Sequence, residues 1–303
     1  MVSSTLRNFI IAKEKVLDKL ANKLELLKYE LAKNSGLKNS TSSRKRSKKI
    51  DEVQALFDEL NQILANPDVL AQMYVDTLPA SKTTINLDRI DSDGYKMTQI
   101  PDLSRFSKLN TMYISYQEYL AEGFDRLPTT LMRLVMFEAK SNPSAEWLSR
   151  LVNLRYLDIT RNHLIRTLPD LSHLRKLETL YAANMRGLTE LPSLPASVKS
   201  CMISLIPDKY LTRSECTTQT WKKLNNQDTT LMLDGVALKQ FIYKVNRVNK
   251  FDAIRDELLA ETARIVLNPK RIDRLLAESG MSISDYDTIL DAYDLQPRQK
   301  YYH

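Results

Sequence analysis

The sequence predicts an α/β fold: a short stacked solenoid of strands, preceded by a coiled-coil helix and a helical cap and followed by a helical C-terminal domain. Three observations predict it. Residues 100–115, IPDLSRFSKLNTMYIS, return as residues 168–183, LPDLSHLRKLETLYAA, with eight of sixteen positions identical. Their offset of 68 residues is three periods of about 23, and self-similarity at such a period marks a stacked repeat array. On either side, apolar residues recur at helical spacing, with Pro and Gly at the joins.

Residues 1–32 form the first element. Leu6, Ile10, Leu17, Leu20, Leu24, Leu27 and Leu31 follow a 3-4 spacing broken only by Lys13. This is an a/d seam, with Leu17, Leu20, Leu24, Leu27 and Leu31 at its centre. Such a helix is marginal alone in water. Its seam therefore needs another copy, another protein or the body of this chain, and the sequence leaves the three open.

Residues 33–49, KNSGLKNSTSSRKRSKK, lack apolar periodicity and are expected to be a polar linker. Its cluster Arg44, Lys45, Arg46, Lys48 and Lys49 suits an anionic surface or nucleic acid, or a nuclear-localisation signal. No aromatic residue is interleaved for base stacking. Residues 1–50 hold thirteen Lys and Arg against four Asp and Glu, so the chain's net charge of +7 belongs to this end.

Residues 50–80 are the expected helical cap. Ile50, Val53, Leu56, Phe57, Leu60, Ile63 and Leu64 keep a helical period, and Asn66-Pro67 ends one helix and starts the next. A cap is needed because the first coil of a solenoid otherwise exposes its core.

Residues 81–208 carry the repeats. Successive copies are Leu109/Met112/Ile114, Leu131/Leu134/Met136, Leu154/Leu157/Ile159, Leu177/Leu180/Ala182 and Val198/Cys201/Ile203, starting 22, 23, 23 and 21 residues apart. An earlier, degenerate turn is expected at 85–101. The pattern resembles the leucine-rich repeat family, L-x-x-L-x-L-x-x-N. Asn162 alone keeps that family's ladder asparagine; Gln117, Ala139, Met185 and Ile206 stand at the matching positions. The resemblance implies a short leucine-rich-repeat solenoid whose leucines point inward, with the residues between them on the concave face. Those are Tyr113, Val135, Asp158, Tyr181 and Met202, beside Ser115, Phe137, Thr160, Ala183 and Ser204, with Tyr116, Arg133, Arg155 and Tyr156 flanking. From these, Tyr113, Ser115, Tyr116, Arg133, Phe137, Arg155, Tyr156, Asp158 and Tyr181 are the expected protein-binding residues, since tyrosine and arginine are favoured at interfaces.

Residues 209–303 are expected to be a helical domain. Phe251, Ile254, Leu258, Leu259 and Val266 share a face, and Asn268-Pro269 has the form of a helix start. Residues 257–279 are similar to a tail in proteins of large DNA viruses, where a His-Pro-x-Arg-like joint precedes a basic helix. Asn268, Pro269, Lys270 and Arg271 occupy the matching positions, with Asn268 in place of the His.

No catalytic motif is found. His163, His173 and His303 are scattered, and six glycines cannot cradle a phosphate. Asp252, Asp256, Glu257 and Glu261 are expected on a solvated helix face. The string LTELPSLPASVKSC is similar to repeats of bacterial effector ubiquitin ligases. Their nucleophilic cysteine is followed two residues later by aspartate, whereas Cys201 and Cys216 are followed by Ile203 and Thr218. Two cysteines make no disulfide framework, which suits a reducing compartment. Phe9 to Ala12 is too short an apolar run for a signal-peptide core, and no stretch suits a transmembrane helix.

The expectation is a protein without enzymatic activity, cofactor or metal: an interaction scaffold, with the viral resemblance implying an assembly role as a minor capsid protein. Its partners would be proteins, at the concave face and N-terminal helix, and an anionic surface or nucleic acid at the basic linker. Its place would be the cytoplasm or nucleus of the producing cell, or the virion. A ubiquitin-ligase substrate receptor and a nucleic-acid-associated protein stay open as alternatives.

Overall fold

The computed structural model describes residues 6–33, 41–88, 95–139, 144–188, 190–204, 221–224, 228–262, 264 and 268–278. The chain divides into two compact units, residues 1–131 and 132–303, each combining helices with short parallel strands stacked as in a solenoid. No helix among the described residues is long and apolar enough to cross a membrane.

The first unit contains α1 (Leu6–Lys33), α2 (Thr41–Leu64), α3 (Pro67–Thr77), β1 (Thr84–Asn86) and β2 (Thr111–Tyr113). Helix α1 packs on α2 and α3, so its apolar stripe is covered by its own chain. Leu6 and Leu24 are buried, and Leu17, Leu20, Leu27 and Leu31 are half-buried. Phe9 meets Tyr74 of α3 with ring centroids 5.9 Å apart.

The linker expected over 33–49 requires correction. Thr41–Lys49 forms the first turns of α2, continuous with the amphipathic run from Ile50. This stretch has no Gly or Pro, and its five Lys and Arg residues are good helix formers. Once Ile50 and Val53 nucleate a helix against α1, extending it toward Thr41 costs little. Residues 34–40 lie outside the described residues.

Helix α3 starts as expected. Asn66 Oδ1 accepts from the backbone N–H groups of Asp68 and Val69, and Pro67 takes the first helical position. The cap docks through this same end. Asp68 accepts from Thr98 N at 2.8 Å, Gln99 N at 3.2 Å and the Thr98 hydroxyl at 2.5 Å. Gln72 accepts from Asp102 N at 2.8 Å, and the Tyr95 hydroxyl donates to the Pro67 carbonyl at 2.6 Å. Burial, reinforced by Asp68, pushes the Tyr95 phenol far above its ordinary range. Beyond the cap, β1 pairs in parallel with β2, placing buried Ile85 beside buried Met112.

The second unit contains β3 (Arg133–Val135), β4 (Tyr156–Asp158), β5 (Thr179–Ala182), β6 (Ser200–Ser204), β7 (Trp221–Leu224), β8 (Asp228–Asp234), α4 (Gly235–Thr262) and α5 (Pro269–Glu278). Strands β3 to β6 pair in parallel with Leu134, Leu157, Leu180 and Cys201 in one row. All four are buried, as are Leu154, Leu177 and Val198 before the strands and Met136, Ile159, Ala182 and Ile203 within or after them. Burial raises the Cys201 thiol to about 12. Coils stack so closely at Gly187 that a Cβ there would lie 2.3 Å from the His163 carbonyl oxygen.

The expectation that everything after the repeats is helical is corrected. β8 pairs antiparallel with β6, setting Ser200 opposite Asp234 and Cys201 opposite Leu233, and β7 pairs antiparallel with β8. The run DTTLMLD combines β-branched Thr229 and Thr230 with apolar residues suited to a strand. Its pairing covers the edge that β6 would otherwise leave open. Helix α4 closes the same end: Asn246 accepts from Leu194 N at 2.8 Å and donates to Leu194 O at 2.9 Å. Asn249 donates to Leu191 O at 2.9 Å.

Glu261 is a further correction. It is 2% exposed, not on a solvated face. Its carboxylate meets Arg264 at 3.3 Å and Arg271 at 3.4 Å, and accepts from Asn268 N at 3.3 Å. Asn268 in turn caps α5, accepting from Arg271 N. The end of α4 and the start of α5 are thus joined by one buried acid, beside an apolar cluster of Leu258, Leu275 and Leu276.

Candidate interaction face of the strands

Each strand alternates an inward residue with two outward ones. In the second unit this yields two cross-strand rows opposite the core. The register places Arg133, Tyr156, Thr179 and Ser200 in one, and Val135, Asp158, Tyr181 and Met202 in the other. All eight are half-buried.

These rows hold one connected cluster. The Arg133 guanidinium carbon stands 3.6 Å from the Tyr156 ring centroid, and Tyr156 meets Tyr181 edge-on at 5.5 Å and 73°. The first contact is a cation–π pair and the second the preferred T-shaped arrangement. Burial raises the Tyr156 phenol above the ordinary tyrosine range; Asp158 adds to the rise and Arg133 opposes it. Asp158 is anchored locally, accepting from Thr160 N at 3.0 Å. Arg133 Nε is buried without a hydrogen-bond partner.

A charged rim borders the cluster. Glu178 lies 3.4 Å from Arg155 and 3.2 Å from Lys199. On the opposite border, Arg161 lies over Phe137 at 5.3 Å and pairs with Glu138 at 3.6 Å. Glu138 and Arg161 have φ of 57° and 62°, at the position held by Tyr116 at 63° and Asn184 at 52°. Four non-glycine residues in left-handed backbone at one repeat position are a cost the stack imposes where each strand turns away. Sequence reasoning missed Glu138, Arg161, Glu178 and Lys199; the repeat spacing that aligned the leucines would have aligned these as well.

Just past that turn, the ladder position is legible at two coils. Asn162 donates from Nδ2 to Met136 O and Ile159 O, both at 2.7 Å. Gln117 donates to Leu87 O at 2.9 Å and accepts from Met97 N at 3.0 Å. Both side chains are buried. Gln117 therefore bonds back to the preceding coil as Asn162 does.

No family model, curated protein or solved structure matches this chain.

Of the expected binding residues, the fold brings Arg133, Tyr156, Asp158 and Tyr181 into one cluster, with Phe137 and Arg155 on its borders. Tyr113, Ser115 and Tyr116 belong to the first unit. There Tyr113 is half-buried and Tyr116 exposed, whereas Ser115 is 4% exposed and offers no surface to a partner. Thr160 and Ala183, at the same repeat position, are buried too. At Ser115, Thr160 and Ala183 this third row lies where the chain turns inward and completes the core, while the larger Phe137 stays half-buried beneath Arg161. The side chain of Ser204 lies outside the described residues. His173, on the outer arc, is exposed and bonds through Nε2 to the Ser149 carbonyl at 2.8 Å. Among the described residues, no group of three or more His, Cys, Asp or Glu is placed to hold a metal ion.

Proposed function

We propose that this chain is a non-enzymatic protein-interaction scaffold, a short leucine-rich-repeat solenoid that holds a protein partner on the concave face of its strands. The single observation that carries the reading is the Arg133–Tyr156–Tyr181 cluster. Its rings and guanidinium are already positioned by neighbouring strands, so little conformational entropy is left to lose on binding. It is half-buried and bordered by charge, the usual anatomy of an interface core with a polar rim. The parallel register and the back-bonding of Asn162 and Gln117 support the repeat assignment. The similarity of residues 257–279 to viral tails directs the scaffold toward particle assembly.

Photo-crosslinking from p-benzoylphenylalanine placed at Tyr181 tests this, with Arg175 on the outer arc as the comparison site. The proposal expects a discrete crosslinked partner from position 181 and none from 175. Crosslinking from 175 alone would place binding on the opposite surface.

A further inference from the structure

The helical state of residues 41–49 has consequences for the basic charge. A seven-residue connection spans at most about 29 Å, while a helix of α2's 24 residues is about 36 Å long. Helices α1 and α2 pack along each other, so the connection is too short for a parallel pair. They form an antiparallel hairpin, which puts the end of α1 and the start of α2 side by side. Lys28 and Lys33 thereby join Arg44, Lys45, Arg46, Lys48 and Lys49 at one closed end. All are exposed except half-buried Arg46.

The imbalance there is extreme. Residues 26–49 hold eight Lys and Arg and one carboxylate, Glu30, a net charge of +7 that equals that of the whole chain. Lys15, Lys19 and Lys23 continue down α1 at exposed positions, each about 6 Å along the axis from the next, interleaved with exposed Glu14 and Asp18, and Lys28 pairs with Glu25 at 3.6 Å.

We infer that the closed end of the α1–α2 hairpin and the outer face of α1 bind the phosphate backbone of double-stranded nucleic acid, without regard to sequence. A rigid rod with cations in rows complements a duplex, whose phosphates are regular and close-spaced. Single-strand binding would call for aromatic platforms, and the one aromatic at this end is Tyr29. An anionic membrane attracts a polybasic cluster by charge alone, but a fluid headgroup surface has no regular rows of phosphates to match the rows of cations on the helices, and the vesicle arm of the test separates the two. The seam residues of α1 are turned toward α2, which leaves Leu26 and Tyr29 as exposed large hydrophobics near this end.

The test is a fluorescence-anisotropy titration of the full chain with a random-sequence duplex, across a salt series. Arms with a single strand and with phosphatidylserine vesicles run beside it. Binding should weaken steeply with salt. Changing Arg44, Lys45, Arg46, Lys48 and Lys49 together to Gln, which keeps helix propensity, should lower affinity at least about tenfold. It should also reduce the salt slope by about one for each phosphate no longer neutralised. Exchanging the same five residues Lys for Arg and Arg for Lys should retain binding. Circular dichroism checks that the helices persist. If the five-residue variant unfolds, Lys15→Gln with Lys19→Gln and Lys23→Gln provides the second reading, with the same direction expected. No duplex binding, duplex binding indifferent to both variants, or preference for the single strand or the vesicles would each overturn the inference.

Discussion

The Arg133 guanidinium lies over the Tyr156 ring, 3.6 Å from its centroid, although the two residues are 23 apart in sequence. Parallel pairing puts them directly opposite each other on β3 and β4. One repeat period of the sequence thereby becomes one strand spacing, about 4.8 Å, in the fold. Tyr181, opposite Asp158 on β5, lies diagonal to Tyr156 and meets its ring edge-on.

Tyr156 should ionise above the ordinary tyrosine value of 10.0. The folded state holds this proton more tightly than the unfolded one. Its contribution to stability is therefore fully present below pH 10 and is lost as pH rises through the folded-state value. Subtracting the tyrosinate absorbance titration of Tyr156→Phe from that of the unmodified chain isolates this group. Asp158→Asn should bring its midpoint down and Arg133→Gln should move it further up. A midpoint at or below 10 would refute the described environment.

The ladder bonds predict a matched pair of effects. Asn162→Leu and Gln117→Leu each remove a buried side chain that satisfies backbone groups of its own or the preceding coil. Each should cost about 1–3 kcal/mol in urea denaturation. Ala139→Asn is the contrast: Ala139 is buried, and a larger polar side chain forced into its closed site should not stabilise the fold. Near-neutral losses at both 117 and 162 would show that the coils do not depend on these bonds.

What the sequence disclosed and what it hid divide along physical lines. The row Leu134, Leu157, Leu180 and Cys201 was legible because a fixed period converts directly into register. Gln117 was not, because a glutamine does not match the family's asparagine even though it makes the equivalent bond, to Leu87 O where Asn162 bonds to Met136 O. Arg44 to Lys49 suggested a linker because only apolar periodicity was sought, while their helix is imposed by the segment that follows. Ser115 and Thr160 were placed on the surface by alternation alone, which the inward turn of the chain interrupts. The run DTTLMLD has a strand's composition, but its pairing with β6, like the burial of Glu261, depends on what packs beside it. For the interaction face, residue type and spacing located Arg133, Tyr156, Asp158 and Tyr181; the charged rim of Glu178 and Lys199 follows from the same spacing, but charged residues beside a strand read as ordinary solvated surface until the ion pair is seen.

Glu261 should hold the start of α5 to the end of α4. Removing a buried acid strands its cations, but Arg264 and Arg271 remain 54% and 39% exposed and can rehydrate. The cost should therefore fall between the ~1 kcal/mol of a surface pair and the ~3–5 kcal/mol of a fully buried one. Hydrogen exchange should report Glu261→Ala as lost protection in α5, with β3 to β5 unchanged. Unchanged protection in α5 would remove the acid from its structural role.

The central claim is that the strand face around Tyr156 and Tyr181 binds a protein partner. The most direct measurement is the affinity of the crosslinked partner, once purified, for Tyr156→Ala with Tyr181→Ala, compared with His173→Ala and Arg175→Ala on the outer arc. Both changes spare the inward leucines, so both variants should fold. Aromatic anchors at an interface centre often contribute about 2 kcal/mol or more each. The strand-face pair should weaken binding at least about tenfold, and the outer-arc pair should leave it unchanged. Full affinity in the strand-face variant, with loss in the outer-arc variant, would contradict the account.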